Sequence, residues 1–301
     1  MKIPTYLDTK NQVVIFKDNE WINKSIAVLK DDFLDVSETE TLFIYVEDYL
    51  KENINLNLKE KAKTTIYMIF KTSVPKHYEI KINLDQNAEL DVFSVVRNVE
   101  KTQLTINRKF ELAKSSNLKI RNALLNMGET SLNDSVNLNG EKAEVNMDLL
   151  NVGSYNDIFK VNQDVSHKAK WTVSNITNSL ISNSNSKLDY SVSGRIFKGN
   201  EHSSCRQTNK GIILSEYGDI GVIPKLFIDE YNVEASHGAA IGQIDEEQLY
   251  YLLSRGLTET EARSLIISGY TKPFVANIVD EDIKELVERQ ILKRINEADI
   301  L

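Results

Sequence analysis

Between about residues 41 and 240, apolar residues alternate with polar ones in short bursts, such as TLFIYV at 41–46, TTIYMIF at 64–70 and YEIKINL at 78–84. Alternation at a period of two places successive side chains on opposite faces of an extended backbone, which predicts strands. Asn, Asp, Ser, Lys and Gly separate the bursts, as turns require. The whole chain holds four prolines, so backbone ladders run with few interruptions.

The bursts also repeat. The pattern small–polar–apolar–polar–apolar recurs as AELDV at 88–92, SNLKI at 116–120, AEVNM at 143–147 and AKWTV at 169–173. Its centres, Leu90, Leu118, Val145 and Trp171, lie 28, 27 and 26 residues apart. Leu104, Leu132 and Ile158 fall halfway between them. The half-interval is therefore about 14 residues, room for one strand of ordinary length and one turn. Two such units make one coil of a β-solenoid. A single coil cannot bury its inward row, whereas stacked coils build a continuous interior. The interval breaks after Trp171, and SKLDY at 186–190 falls out of step. A large β-sandwich with similar strand spacing is the alternative; regularity over six intervals favours the solenoid.

The flanks read differently. Residues 1–40 mix VVIF at 13–16 and WINKSIAVLK at 21–30 with charge, and are expected to form a short N-terminal lead-in or cap. The β core is expected over 41–243 and a small helical domain over 244–301. Asp245 and Gln248 carry the spacing of a helix N-terminus, and Gly256 is a natural stop. A second helix is predicted from Thr258 to about Gly269, with Pro273 breaking the chain. A third spans Glu281 to Asn296, where Ile283, Leu286, Val287, Ile291 and Ile295 share one face.

Composition narrows the function classes. The net charge is −8, and residues 245–301 hold twelve Asp/Glu against seven Lys/Arg. Nucleic acid needs a basic face to neutralise phosphates, so protein partners are expected instead. No apolar run approaches a membrane span, MKIPTYLDTKNQ lacks the layout of a secretory signal, and the single cysteine suits a reducing compartment. A cytoplasmic protein without membrane or nucleic-acid contact is expected. Neither a phosphate-cradling glycine loop nor an HExxH or GxSxG motif occurs, so no catalytic constellation is legible.

Candidate residues read blandly on their own. Cys205 supplies one thiol where a cluster needs four ligands, and reads as incidental. His167 and His202 read as surface residues, and His77, beside Pro75, as part of a turn. Gly238 suggests a tight bend, and Ala239, Ala240 and Gly242 close-packed backbone. The charges of EDYLKE at 47–52 and of Glu246 and Glu247 read as solvated, and Tyr250 and Tyr251 as helix-packing residues.

One stretch adds more. Residues 209–270 run IILSE, a PKLFI strand, EASHGAAIGQID, QLYYLLSRG and EARSLIISGY in order, preceded by GRIFKGNEHSSCRQTNK at 194–210. This order resembles the end of the SufB/SufD family of iron–sulfur cluster assembly scaffolds. The likeness is specific over 194–275 and extends as texture over 41–193. The N-terminal helical region usual in the family looks reduced. The resemblance implies a right-handed parallel β-helix followed by a C-terminal helical domain that docks an ABC-type ATPase, SufC. It also implies pairing of a SufB with a SufD subunit through their β-helices, no enzymatic activity of the scaffold itself, and no permanent cofactor. ATP-driven movement of the SufC pair would open that interface, where iron or a nascent cluster is held transiently.

Ser236-His237-Gly238-Ala239 has the SufD form of the motif, where SufB members tend to be acidic. By the resemblance, His237 is the candidate iron or cluster ligand, and imidazole is a competent iron ligand. The cysteine that SufB supplies would fall near Gly218, where none stands. Tyr250, Leu253 and Arg255 are the candidate contacts to the ATPase. Two other readings stay open: a homodimeric scaffold of this family working with SufC alone, and, in another class, a β-helix protein that binds or cleaves polysaccharide.

Overall fold

The computed structural model describes residues 7, 10, 13–17, 20–24, 28–30, 33–37, 40–49, 53–97 and 101–296. In chain order the strands are β1 (Val13–Lys17), β2 (Glu20–Lys24), β3 (Val28–Lys30), β4 (Phe33–Val36), β5 (Glu40–Glu47), β6 (Asn53–Leu58), β7 (Lys63–Lys71), β8 (Lys76–Leu84), β9 (Glu89–Val96) and β10 (Thr102–Leu112). They continue as β11 (Asn117–Leu124), β12 (Gly128–Leu138), β13 (Glu144–Gly153), β14 (Ile158–His167), β15 (Val173–Ser182), β16 (Lys187–Ile196), β17 (Ser204–Ile213), β18 (Asp219–Ile228) and β19 (Glu234–Gln243). Three helices follow: α1 (Glu246–Ser254), α2 (Glu259–Val275) and α3 (Glu281–Asn296).

Among the described residues the strands form two sheets. From β5 onward the odd-numbered strands pair in parallel in one, and the even-numbered strands from β4 onward do so in the other. Each odd–even pair is therefore one coil of a parallel β-solenoid. The first strands join the same sheets: β1 pairs in parallel with β5, while β1–β2 and β3–β4 are antiparallel.

In-register parallel pairing makes inward residues stack in columns. One column runs Leu90, Leu118, Val145, Ser174, Cys205, Ala235. The sequence repeat holds as far as Val145 and then slips. Ser174, not Trp171, continues the column, because the stretch from β13 into β14 is two residues longer than that from β11 into β12: Val145 to Val161 spans 16 positions where Leu118 to Leu132 spans 14. Trp171 instead sits half-exposed in the corner between β14 and β15. Ile158 pairs with the outward Glu129, and Leu104 and Leu132 both face inward but stack on Thr130 and Ile106.

The corner that leads from an even to an odd strand has one recurrent device. Lys61, Asn87, Ser115, Lys142, Trp171 and His202 all have φ between 56° and 64°. Each donates its backbone N–H to a carbonyl of the following coil, from Lys61 N–H to Gln86 O through His202 N–H to Asn232 O. The corner demands the left-handed conformation, yet none of these residues is glycine. The turn chemistry is therefore invisible to a search for glycine.

The interior is apolar in the first coils, with Leu42, Ile44, Leu56, Ile66 and Ile82 all fully buried. A second apolar layer lies outside the odd-stranded sheet. Phe43, Tyr67, Phe93, Leu150 and Val152 there meet Ile267, Phe274, Ile283, Val287 and Ile291 of the helices. The five apolar residues predicted to share a face of α3 are all in this layer. Helix α2 departs from expectation, running through Gly269 and Pro273 to Val275. Phe274 packs on Phe93 with ring centroids 5.8 Å apart, so burial of the last turn outweighs the roughly 3 kcal/mol proline penalty. Gly269 has no atom within 4 Å of where a Cβ would stand.

Polar anchors fix the helices to the solenoid. The Arg294 guanidinium enters the protein and bonds the buried Asp157 carboxylate, which also accepts from Gly128 N–H at 2.8 Å and Ser154 N–H at 3.1 Å. Arg121 bridges Asp91 to the carbonyl of Asn277, and Tyr67 Oη accepts from Asp280 N–H at 3.2 Å. Glu47 and Asp48 are likewise built in rather than solvated. Glu47 pairs with Lys71 at 2.8 Å, and Asp48 accepts from Thr72 and Ser73 hydroxyls. Leu50, Lys51 and Glu52 lie outside the described residues. No helix among the described residues is long and apolar enough to cross a membrane.

Candidate functional site: the open end of the solenoid

Among the described residues, every strand of the solenoid body is flanked on both sides, except at its last coil. Strands β18 and β19 end their sheets, so their outer backbone edges face away from the molecule. All ten residues of β19 are exposed. Pro224 is tolerated in β18 because this is an edge strand, where a missing N–H breaks no ladder on the open side.

Pairing with β17 shows where His237 belongs. Ala235, His237, Ala239 and Ile241 are in register with Cys205, Gln207, Asn209 and Gly211. The last three of these, like Cys205, belong to the buried inward row of β17. His237 therefore continues an inward column, Met147–Ile176–Gln207–His237. It is exposed only because no further coil covers it. Gly238, expected in a bend, lies within the extended strand, and Gly238 and Gly242 have no atom within 4 Å of an added Cβ. Ala239 and Ala240, expected in close packing, are exposed for the same reason. Opposite this row, β18 contributes Val222, Pro224 and Leu226, and the rim carries the exposed apolar residues Ile223, Phe227 and Tyr231. The arrangement presents one imidazole at the mouth of an apolar-rimmed end.

The other histidines and the thiol fall elsewhere. His167, read as a surface residue, is fully buried, with Nδ1 2.8 Å from Thr172 Oγ1 and Nε2 2.8 Å from Ser174 Oγ. Its position at the end of β14, on the inward row, decides this. Burial pushes its imidazole down to about 4. His202 is exposed and stacks on Trp171 with ring centroids 3.9 Å apart. His77 lies within β8 rather than a turn, its Nε2 2.6 Å from Glu79 Oε1. Cys205 is fully buried, and burial pushes its thiol up against a hydrogen bond with Ser174. Its Sγ would overlap a Cβ on Gly194, so only glycine fits opposite it.

On the helical domain, Tyr250, Leu253 and Arg255 lie on or just beyond α1, which buries no residue. Tyr250 and Tyr251, read as helix-packing residues, are 74% and 54% exposed, because α1 turns Leu249 and Leu252, and not the tyrosines, to the apolar layer. Arg255 stacks over the Tyr251 ring at 5.1 Å. A groove of about 210 Å³ between α2 and α3, lined by Ile267, Thr271, Val275, Ile291 and Leu292, has no counterpart in the sequence reading. A larger polar groove of about 700 Å³ on the odd-stranded sheet is lined by Lys63, Lys119 and Lys142 against Glu89, Asp91 and Glu144. Its balanced charges select no ion.

Comparison with known proteins agrees with this geometry. Residues 46–270 match the family described as SUF system FeS cluster assembly, SufBD core domain. The iron-sulfur cluster assembly protein SufD of Bacillus subtilis strain 168 is 26% identical over 271 residues, 88% of this chain and 58% of the relative. SufD of Escherichia coli strain K12 is 23% identical over 245 residues, 80% of this chain and 58% of the relative. An iron-sulfur cluster assembly SufBD family protein of Archaeoglobus fulgidus is 45% identical over 82 residues, 27% of this chain and 22% of the relative. The chain thus spans somewhat more than half the length of the SufD relatives it matches. With three quarters of its residues inside the family match and a parallel β-solenoid as its core, the chain belongs to the SufBD family of the SUF iron–sulfur cluster assembly system.

Proposed function

We propose that this protein is a SufD-like, non-catalytic scaffold subunit of a cytoplasmic iron–sulfur cluster assembly complex. Its open end pairs with a SufB-like subunit, and its helical domain docks a SufC-like ATPase through a surface that includes Tyr250, Leu253 and Arg255. Iron or a nascent cluster is cargo at the paired ends, not a resident cofactor. The observation that carries this reading is the uncapped last coil, where an unpaired ten-residue edge and His237 at the end of an inward column meet. An exposed edge of that length is a template for strand pairing with another chain. One imidazole cannot complete an iron or cluster coordination shell, and the chain's one thiol is buried a coil below. The remaining ligands therefore come from the partner.

The test is anaerobic reconstitution of the purified chain with SufB-like and SufC-like partners, comparing the parent with His237→Ala. The expected result is a stable three-component complex whose iron and sulfide content falls at least several-fold in the variant while assembly persists. Unchanged iron and sulfide would remove His237 from the site. Failure to recover either partner would overturn the scaffold reading. The same edge can pair with its own copy about a twofold axis, and a complex containing only this chain and the ATPase would establish that homodimeric form.

A further inference from the structure

Polar side chains line the interior of the last coils, and their hydrogen bonds do not close. Gln163, Asn178, Gln207 and Asn209 face inward from β14, β15 and β17 and are each at most 2% exposed. Asn178 stacks in register on Asn209, and Gln207 sits one inward position away on the same strand. Asn178 Nδ2 donates to Gln163 Oε1 and to Asn209 Oδ1, both at 2.8 Å, which uses both of its hydrogens. Asn209 Nδ2 donates to Gly238 O and Gln207 Nε2 to Lys225 O, both at 3.1 Å. These bonds fix which way each amide points, since turning any one sets like against like. What is left is Gln163 Nε2, Asn178 Oδ1 and Gln207 Oε1, none with a hydrogen-bond partner among the protein atoms.

An unmet amide in a dry interior costs more than a hydrogen bond returns, so an occupant is required. The leftover set is one N–H donor group and two carbonyl acceptors. A cation would face the Gln163 amide hydrogens, and an anion would face two carbonyl oxygens. Water accepts from the first and donates to the other two. We propose that the interior of the last coils is a built site for ordered water, directly beneath the open end. The contrast within the same columns is informative. Arg108, in register below Asp134 and Gln163, bonds Asp134, Ser94 and Asn122 at 2.6–2.8 Å, and none of these four side chains has a buried polar atom left without a partner. Of its three unmet groups, Gln207 lies one coil beneath His237 in the same column, and Asn178 and Gln163 lie deeper. The floor of the open end beneath His237 is therefore a hydrogen-bonding amide and not an apolar side chain. This inference does not depend on the iron–sulfur reading.

Oxygen-17 magnetic relaxation dispersion of the intact chain counts internal waters that exchange slowly with bulk. The parent should show a slow-exchange component, and Gln207→Met and Gln163→Met, each nearly matched in volume, should each lose part of it. A crystal structure at high resolution should place water within hydrogen-bonding distance of at least two of the three unmet atoms. No slow component in the parent, a component unchanged in both variants, or an ion or empty space between these atoms would overturn the proposal. If either variant fails to fold, the parent's dispersion and crystal structure still decide it.

Discussion

Single residues decide much of this molecule, and Arg108 is the clearest. Its guanidinium and the Asp134 carboxylate are almost completely buried and make two bonds at 2.6 and 2.7 Å. Removing one partner leaves the other charge in a low-dielectric interior. Arg108→Met alone should therefore lower unfolding free energy by roughly 3–5 kcal/mol in a denaturant titration, and adding Asp134→Leu should recover much of it. The left-handed corners predict the opposite sign. Lys61 holds φ 64° with its side chain in solvent, so Lys61→Gly should stabilise the protein by about 1 kcal/mol in the same assay. His167 gives a pH signature. Its folded-state value of about 4 lies below the ordinary 6.5, so the unfolded chain binds the proton first. The stability it contributes is complete above about pH 6.5 and is lost as pH falls towards 4, on the order of 3 kcal/mol. His167→Gln should flatten that limb of the stability–pH curve.

At the scale of elements, the helices and the last strand behave in opposite ways. Helix α3 is legible in the sequence because its apolar period, its acidic first turn and its end all agree. What holds it in place is not legible, since Arg294 and Asp157 are 137 positions apart. Asp157→Asn should leave the solenoid folded but release the end of α3. Hydrogen exchange should then show amides near 290–296 losing protection by at least tenfold while β9–β13 stay protected. Helix α2 runs past its predicted end because a proline penalty is local, whereas the burial of Phe274 against Phe93 depends on a strand far off in sequence. Strand β19, EASHGAAIGQ, reads in sequence as small residues around a bend at Gly238 and not as an alternating strand. Only its place at the end of the stack leaves all ten residues exposed.

The whole molecule is a solenoid with two apolar surfaces to cover, one inside and one outside the odd-stranded sheet. The helices cover the outer one. Truncation after Gln243 would uncover Phe43, Tyr67, Ile69, Phe93, Val95, Leu150 and Val152 together, a contiguous patch of the kind that drives association. The truncated chain should be found mostly in the insoluble fraction or as large particles by light scattering. Recovery as a stable monomer would show that the helical layer is dispensable for solubility.

The sequence by itself determined the strand content, the length of the early coils, the helical C-terminal region and the motif that holds His237. Those properties are periodic or local, so adjacent residues carry them. Tertiary structure decided everything that depends on register. It moved Trp171 out of the interior, because two extra residues between β13 and β14 shift every later column without disturbing the alternation, and it put His167 inside, stacked on the inward Leu138. It also set Gln207 beneath His237 across 30 positions of chain, since stacking in a solenoid is a relation between coils and not between neighbours. Finally, it left the last coil open. Whether a strand is covered depends on whether another coil follows it in space, and no residue within the strand encodes that.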